Sequence, residues 1–195
     1  MYKKREEQTL DEHALVANAR RGDVGAFEEL VRRHQDIAFR TAYLVLRDAD
    51  AAEDAAQEAM VKAYRAIARF HEGGAFRPWL LKIVSNQALT MARSRKRQQA
   101  ALERASAEPH ALLDIDETLI DRERARLIWS ALQSLNDRER MAVYLRYFLG
   151  LPERELAEYL GVPPGTVKSR LHRALEHLRK LIATDWPQLI EEHAT

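Results

Sequence analysis

The sequence predicts an all-α protein made of two small helical domains joined by a flexible acidic linker. Apolar residues recur every three or four positions over long stretches, which is the period of an amphipathic helix. Only 7 glycines and 6 prolines interrupt 195 residues, and the abundant alanine, leucine, arginine and glutamate favour helices. No stretch of useful length shows the alternation of apolar and polar residues that is typical of a half-buried strand.

Two helices are predicted first in the N-terminal half. The first has Asp23 as its N-cap and ends near Leu46, with apolar residues at helical spacing between them. The second follows the sequence RDAD, where Asp50 is the expected N-cap and Glu53 stands at the capping-box spacing. Its pattern continues to about Arg69.

A loop separates the second helix from a third. Two adjacent glycines in HEGGAF, residues 71–76, break the helical pattern because paired glycines end helices and open loops. Pro78 suits the first turn of the next helix, where its missing N–H is not needed. That helix is expected to continue past Arg93.

Composition divides the chain into domains. Residues 98–120 contain five acidic residues against one arginine, a proline and only weak periodicity, so we expect a linker that is flexible or partly helical. It separates an N-terminal domain, residues 1–97, from a C-terminal domain, residues 121–183. A tail, residues 184–195, follows.

The C-terminal domain is predicted to contain four helices. Apolar residues resume over 127–135, and Asn136 is the expected N-cap of a helix that Gly150 ends. A short helix over 152–160 then precedes a long one that ends near Ala183.

The last two helices have the spacing of a helix-turn-helix. The small Ala157 falls where the helices cross, Gly161 falls in the turn, and Val162 and Val167 lock the pair. The opposite side of the last helix has small residues that allow close approach to DNA, and basic residues that attract phosphates. The residues expected to contact duplex DNA are Gly165, Thr166, Lys168, Ser169, Arg170, His172 and Arg173. The spacing alone also allows an amphipathic helix of a bundle.

The second helix has a stripe of charged residues around one aliphatic residue. The stripe consists of Asp54, Gln57, Glu58, Val61 and Arg65. Such a stripe is either an ordinary solvated face or an acidic docking surface for a basic protein.

The third helix carries a tryptophan on the same side as cations and an amide. The set is Trp79, Lys82, Asn86, Thr90, Arg93 and Arg97. Aromatic stacking combined with phosphate attraction is typical of single-strand binding. Alternatively, Trp79 is a core residue at the start of a helix.

Several classes of protein fit the sequence poorly. The net charge is +1, so nucleic-acid binding has to come from local clusters rather than a global field. Cysteine is absent, which excludes disulfides and thiolate metal sites and fits a cytoplasmic location. Nucleotide-binding and metalloprotease motifs are missing, so we expect no enzyme activity, cofactor or metal. No apolar run approaches the length that membrane insertion needs.

Four segments, in order, carry a resemblance to a known family. They are GDVGAFEELVRRHQDIAFRTAYLVL, AEDAAQEAMVKAYR, FRPWLLKIVSNQAL and LPERELAEYLGVPPGTVKSRLHRAL. Over residues 22–182 the chain resembles a bacterial sigma factor of the extracytoplasmic-function group of the sigma-70 family.

This resemblance implies a function for each surface. The stripe on the second helix would bind the clamp coiled coil of core RNA polymerase. The loop, with His71, Gly73, Gly74 and Phe76, would hold a base flipped from the non-template strand, and the third helix would contact the minus-ten element. The last helix would contact the minus-thirty-five element, and an anti-sigma factor is an expected partner.

The residues alone leave two other classes open. One is a helix-turn-helix regulator that acts without being a polymerase subunit, and the other is a helical adaptor whose basic helix binds an acidic protein. Ser85 and Thr90 differ from the residues usual in the sigma group, so the group's minus-ten sequence preference is not transferred to this chain.

Overall fold

The computed structural model describes residues 12–71, 73–103 and 127–185. Within them every regular element is a helix, so the predicted all-α class is confirmed. The chain divides into two compact units, unit 1 over residues 1–107 and unit 2 over residues 108–195.

In its described residues, unit 1 has four α-helices around one core. They are α1 over residues 12–20, α2 (Val24–Leu46), α3 (Ala49–Ala66) and α4 (Phe76–Glu103). Helices α2, α3 and α4 each pack against the other two. A 3₁₀ turn (Ile67–Arg69) ends α3.

Helix α1 was not predicted from the sequence. Its Val16 and Ala19 are buried in the core of unit 1. Glu12 Oε2 lies 3.0 Å from Nε2 of the buried His34, which joins α1 to α2 by a polar contact as well. The segment is short and polar, so its two buried apolar residues gave too weak a periodic signal.

The N-cap of α2 was predicted correctly, whereas that of α3 was not. Asp23 accepts a hydrogen bond from the Ala26 N–H at 3.0 Å. Helix α3 begins two residues earlier than expected, and its N-cap is Asp48, whose carboxylate accepts from the Ala51 N–H at 2.9 Å. Asp50 lies in the first turn instead.

The tight connection between α2 and α3 explains this difference. Arg47 adopts a left-handed conformation with φ 56° and ends α2, and Asp48 is extended with φ −143° and ψ 121°. An N-cap residue needs this extended backbone. Asp48 therefore caps α3 directly after the turn.

Asp48 also joins the start of α3 to the C-terminal part of α4. Arg95 Nη1 lies 3.0 Å from Asp48 Oδ2. The hydrogen bond from the Ala51 N–H lowers the pKa of the Asp48 carboxyl below its usual value, and Arg95 lowers it further.

Helix α4 continues into the segment predicted as the linker. It runs through Glu103, so residues 98–103, the start of a linker expected to be flexible or partly helical, are helical. The rest of the expected linker, residues 104–120, and the tail beyond residue 185 lie outside the described residues.

Unit 2 contains α5 over residues 127–133, α6 (Asp137–Val143), α7 (Glu153–Leu160) and α8 (Pro164–Asp185). As predicted, Asn136 caps α6, and its side chain accepts from the N–H groups of Arg138 and Glu139. A π-helical turn (Tyr144–Phe148) continues α6, and two of its rings pack against Trp129 with centroids 5.2 and 5.3 Å away.

We predict that Asp48→Ala lowers the free energy of unfolding of unit 1 by about 1 kcal/mol, because α3 loses its capping side chain. Amide hydrogen exchange of α2 and α3 in the full chain measures this change. The control is Asp50→Ala, which removes only a first-turn charge and should cost no more than about 0.5 kcal/mol. Equal effects of the two substitutions would contradict the assignment of Asp48 as the N-cap.

The contribution of Asp48 to the free energy of unfolding of unit 1 should depend on pH. Because folding lowers the pKa of this carboxyl, its contribution to stability is present above its unfolded pKa and disappears as the pH falls through its folded pKa. The difference between the wild-type chain and Asp48→Ala should therefore shrink in that acidic range.

Candidate nucleic-acid and polymerase interfaces

The predicted helix-turn-helix is formed by α7 and α8. Gly161 ends α7 with φ 65°, and the N–H of Val162 donates to the Ala157 carbonyl at 3.0 Å. A left-handed residue at this position is the usual end of a helix before a sharp turn. On α8, Val167, Leu171 and Ala174 are buried in unit 2.

The outer face of α8 presents the residues predicted to contact duplex DNA. Five of them are exposed and two are half-buried: exposed are Gly165, Lys168, Ser169, His172 and Arg173, and half-buried are Thr166 and Arg170. Arg173 Nε donates to the Ser169 carbonyl at 3.2 Å, which holds the arginine side chain along the helix surface. The structure thus brings all seven residues onto one helix.

The predicted polymerase stripe lies on the outer face of α3. All five residues of the stripe are exposed, with Val61 at 50%. Sequence analysis missed Tyr64, which is 42% exposed one turn after Val61 and packs edge-on against Phe27 at 5.1 Å. Its spacing of three residues from Val61 was the available signal.

Five polar residues form a line along the exposed face of α4. They are Lys82, Asn86, Thr90, Arg93 and Arg97, and we call this line the basic track. Thr90 Oγ1 donates to the Asn86 carbonyl at 2.8 Å, so its side chain lies along the helix. Lys96, which sequence analysis did not select, lines a surface depression with the last part of the track.

The loop before α4 has two different constraints at its glycines. Gly73 has φ 82°, a conformation that glycine adopts readily. A Cβ at Gly74 would lie 3.2 Å from both the His71 carbonyl oxygen and the Phe70 ring, so this position has little room for a side chain. His71 and Gly73 are exposed.

Phe76 is buried and Trp79 is half-buried at the start of α4. Phe76 is 2% exposed and packs between His34, at 5.3 Å, and Trp79, at 5.6 Å. Trp79 is half-buried against Phe70, with ring centroids 4.9 Å apart. The Phe76 ring belongs to the core of unit 1, and the expected role of this residue beside a flipped base stays a prediction. The core alternative for Trp79 describes most of its surroundings.

Ser85 and Gln87 also face inward from α4. The buried Ser85 hydroxyl donates to the Lys82 carbonyl at 3.1 Å, so it has a local partner. Gln87 is buried between α3 and α4, where its amide nitrogen donates to Glu58 and its amide oxygen accepts from Lys62. Sequence analysis missed Gln87 and Lys62, because a pairing between positions 25 and 29 residues apart leaves no local pattern.

In the parts of the chain that the structure describes, no group of three or more His, Asp or Glu side chains is arranged to hold a metal ion. None of the described helices has the length and apolar character needed to cross a bilayer.

Comparison with known families matches both units. Residues 30–98 match the family described as sigma-70 region 2, and residues 125–178 match the family described as sigma-70, region 4. The first match includes most of α2, all of α3, and α4 as far as residue 98. The second match includes the helix-turn-helix.

Curated relatives extend this similarity over most of the chain. RNA polymerase sigma-H factor of Pseudomonas aeruginosa is 35% identical over 177 residues, covering 86% of this chain and 92% of that protein. ECF RNA polymerase sigma factor SigW of Bacillus subtilis is 31% identical, with 85% and 93% covered. ECF RNA polymerase sigma-E factor of Escherichia coli K12 is 33% identical, with 87% and 93% covered.

Two solved structures share the fold. CnrH, solved in complex with the cytosolic domain of CnrY, has a TM-score of 0.64 and 25% identity, covering 90% of this chain and 99% of that one. RpoE of Bartonella quintana, solved with the anti-sigma factor NepR, has a TM-score of 0.58 and 25% identity, covering 83% and 99%. The chain therefore belongs to the extracytoplasmic-function group of the sigma-70 family, the sigma factors that direct RNA polymerase to specific promoters.

Proposed function

We propose that the surfaces of this sigma factor divide promoter recognition among three helices. Helix α8 contacts the minus-thirty-five element as duplex, α3 binds core RNA polymerase, and α4 with its preceding loop holds the melted minus-ten strand. The observation that carries this proposal is that α3 and α4, packed side by side, expose an acidic stripe with an aliphatic centre and a basic track.

The chemistry of α8 suits a duplex. A helix fits the major groove, which is about 12 Å wide. Gly165 and Ser169 are small and exposed near the start of α8, so the helix backbone can approach DNA closely. Lys168 and Arg173 then provide the charge for phosphates and for guanine edges.

The chemistry of the basic track suits a single strand. Its three cations follow the length of α4, and Asn86 lies between the first cation and the other two. Cations that follow a strand attract its phosphates, and an amide can hydrogen-bond to unpaired base edges. The loop of His71, Gly73 and Gly74 supports a role beside a flipped base, because its glycines permit close backbone approach.

The stripe on α3 suits a basic protein surface. Asp54 supplies negative charge and the half-exposed Val61 supplies apolar area at its centre. Complementary charge favours association with a basic partner and fixes its register. We assign this partner as core RNA polymerase.

The chain contributes recognition and melting, and the polymerase contributes the chemistry of RNA synthesis. The sigma factor itself is therefore not an enzyme in this proposal. Its location is the cytoplasm, where bacterial polymerase and promoters are found.

An anti-sigma factor is a further proposed partner. Two solved relatives, CnrH and RpoE, are each in complex with a partner protein, and that of RpoE is called an anti-sigma factor. Such a protein would occlude the polymerase and DNA surfaces of this chain until a signal releases it. Co-purification with a small helical protein encoded by a neighbouring gene is the observation to seek.

Arg173 tests the assignment of α8 to duplex DNA. Arg173→Ala should weaken binding to duplex minus-thirty-five DNA by about 10-fold, because one guanine or phosphate contact of about 1–3 kcal/mol is lost. Promoter-dependent run-off transcription should fall with it, and association with core polymerase should stay unchanged. The control is Arg179→Ala, an exposed arginine farther along the same helix and beyond the residues assigned to DNA. Full promoter activity of Arg173→Ala would contradict the assignment of α8.

Asp54 and Val61 test the assignment of α3 to core polymerase. The double substitution Asp54→Lys with Val61→Lys should reduce the affinity for core polymerase at least 100-fold, because the stripe loses its charge complementarity and its apolar centre. Pull-down and fluorescence anisotropy with core polymerase measure the loss. Both side chains are exposed, so helix content should be retained.

Glu28→Lys is the matched control for this substitution, since Glu28 is exposed on α2 and has no assigned role. It should bind core polymerase like the wild-type chain. Equal affinity of the α3 variant and this control would remove α3 as the polymerase surface.

A further inference from the structure

Gln87 forms a polar connection between α3 and α4 in unit 1. The residue is only 6% exposed, and its side chain lies between Glu58 and Lys62 of α3. The amide nitrogen donates to Glu58 Oε2, and the amide oxygen accepts from Lys62 Nζ. Hydrogen bonds in which one partner is charged are the stronger ones, and here both have a charged partner.

The amide keeps apart two charges that would otherwise meet. Glu58 and Lys62 are four residues apart on one helix with the glutamate first, the arrangement that favours a direct ion pair. A glutamine can separate them because it offers a donor to the carboxylate and an acceptor to the ammonium. With Gln87 between them, each charge is drawn toward α4 instead of being neutralised along α3.

We propose that Gln87 is a positioning residue for promoter opening. It holds the Lys62 ammonium beside the basic track, where it contacts a phosphate of the melted strand, and it fixes the Glu58 carboxylate at the polymerase stripe. This inference rests on the proposed function of α3 and α4. It adds Lys62 to the single-strand surface and gives both surfaces one shared support.

The position of Lys62 makes a phosphate contact feasible. Its Nζ contacts Gln87, which follows the exposed Asn86 of the track directly in sequence. An ammonium has three donors, and the hydrogen bond to Gln87 uses one. On single strands, each neutralised phosphate contributes about −0.7 to the slope of log affinity against log salt.

The test uses holoenzyme assembled from the full chain and core polymerase. Binding to a promoter fragment with a premelted minus-ten region is measured over a range of salt concentrations. Gln87→Met keeps the shape of the side chain and removes both hydrogen bonds. It should weaken binding about 5-fold at low salt and make the slope shallower by about 0.7. Lys62→Met should do the same, and the double variant should be no worse than either single one.

Gln87→Glu tests whether the neutral amide is needed. Its carboxylate forms an ion pair with Lys62 and cannot donate to Glu58, whose like charge it opposes. This variant should make the salt slope on premelted DNA shallower by about 0.7, because Lys62 is neutralised, and it should bind core polymerase several-fold more weakly. If Gln87 only filled space, glutamate would leave both measurements unchanged, because the two side chains have nearly the same size and shape.

The outcomes are distinguishable. Additive effects of Gln87→Met and Lys62→Met, or an unchanged salt slope in both, would overturn the proposal while leaving the proposed function intact. Failure of the wild-type holoenzyme to bind the premelted promoter would instead contradict the proposed function. If Gln87→Met unfolds unit 1, as amide hydrogen exchange would show, Lys62→Met and Gln87→Glu decide the matter.

Discussion

The alanine face of α3 is the constraint on which the rest of unit 1 depends. Six buried alanines line it: Ala51, Ala52, Ala55, Ala56, Ala59 and Ala63. Such small side chains let α2 and α4 approach α3 closely, so that the outer faces of α3 and α4 become neighbours. A larger residue on this face would force the helices apart at a cost of about 1–3 kcal/mol. The close approach also lets the side chain of Gln87 reach two residues of α3 at once.

Opposite charges on the neighbouring helices α3 and α4 would neutralise each other if they paired freely, and apolar packing in the core does not prevent this. The chain has a net charge of only +1, so recognition depends on keeping acidic and basic groups in separate clusters. At one end of the α3–α4 seam, Arg95 pairs with Asp48, where the carboxylate already serves as an N-cap. Nearer the functional faces a neutral amide lies between Glu58 and Lys62. Charges thus pair directly where they stabilise the fold and are kept apart near the surfaces assigned to partners.

Sequence periodicity predicted the helices well, but it could not choose among local alternatives. Asp23, Asn136 and Gly161 were identified correctly because each stands alone at the end of a strong pattern. Asp48 and Asp50 both suit an N-cap, and only the left-handed backbone of Arg47 decides between them. The outward position of the seven residues of α8 could be predicted from their spacing on one helix. The burial of Phe76 could not be predicted in this way, because it depends on ring contacts with His34 and Phe70, which are distant in the local pattern.

Both surfaces proposed to bind nucleic acid lie on helices that follow a glycine-containing turn. Gly161 and Gly73 supply left-handed backbone, with φ 65° and 82°, in the connections before α8 and α4. The helices themselves are fixed by apolar residues, such as Val167 on α8 and Leu80 on α4, so their outer residues carry little of the folding energy. Because each unit buries its own core, a polar substitution on one outer face leaves the other unit folded. Division of the chain into two cores therefore allows the proposed duplex and single-strand recognition to be tested separately by mutation.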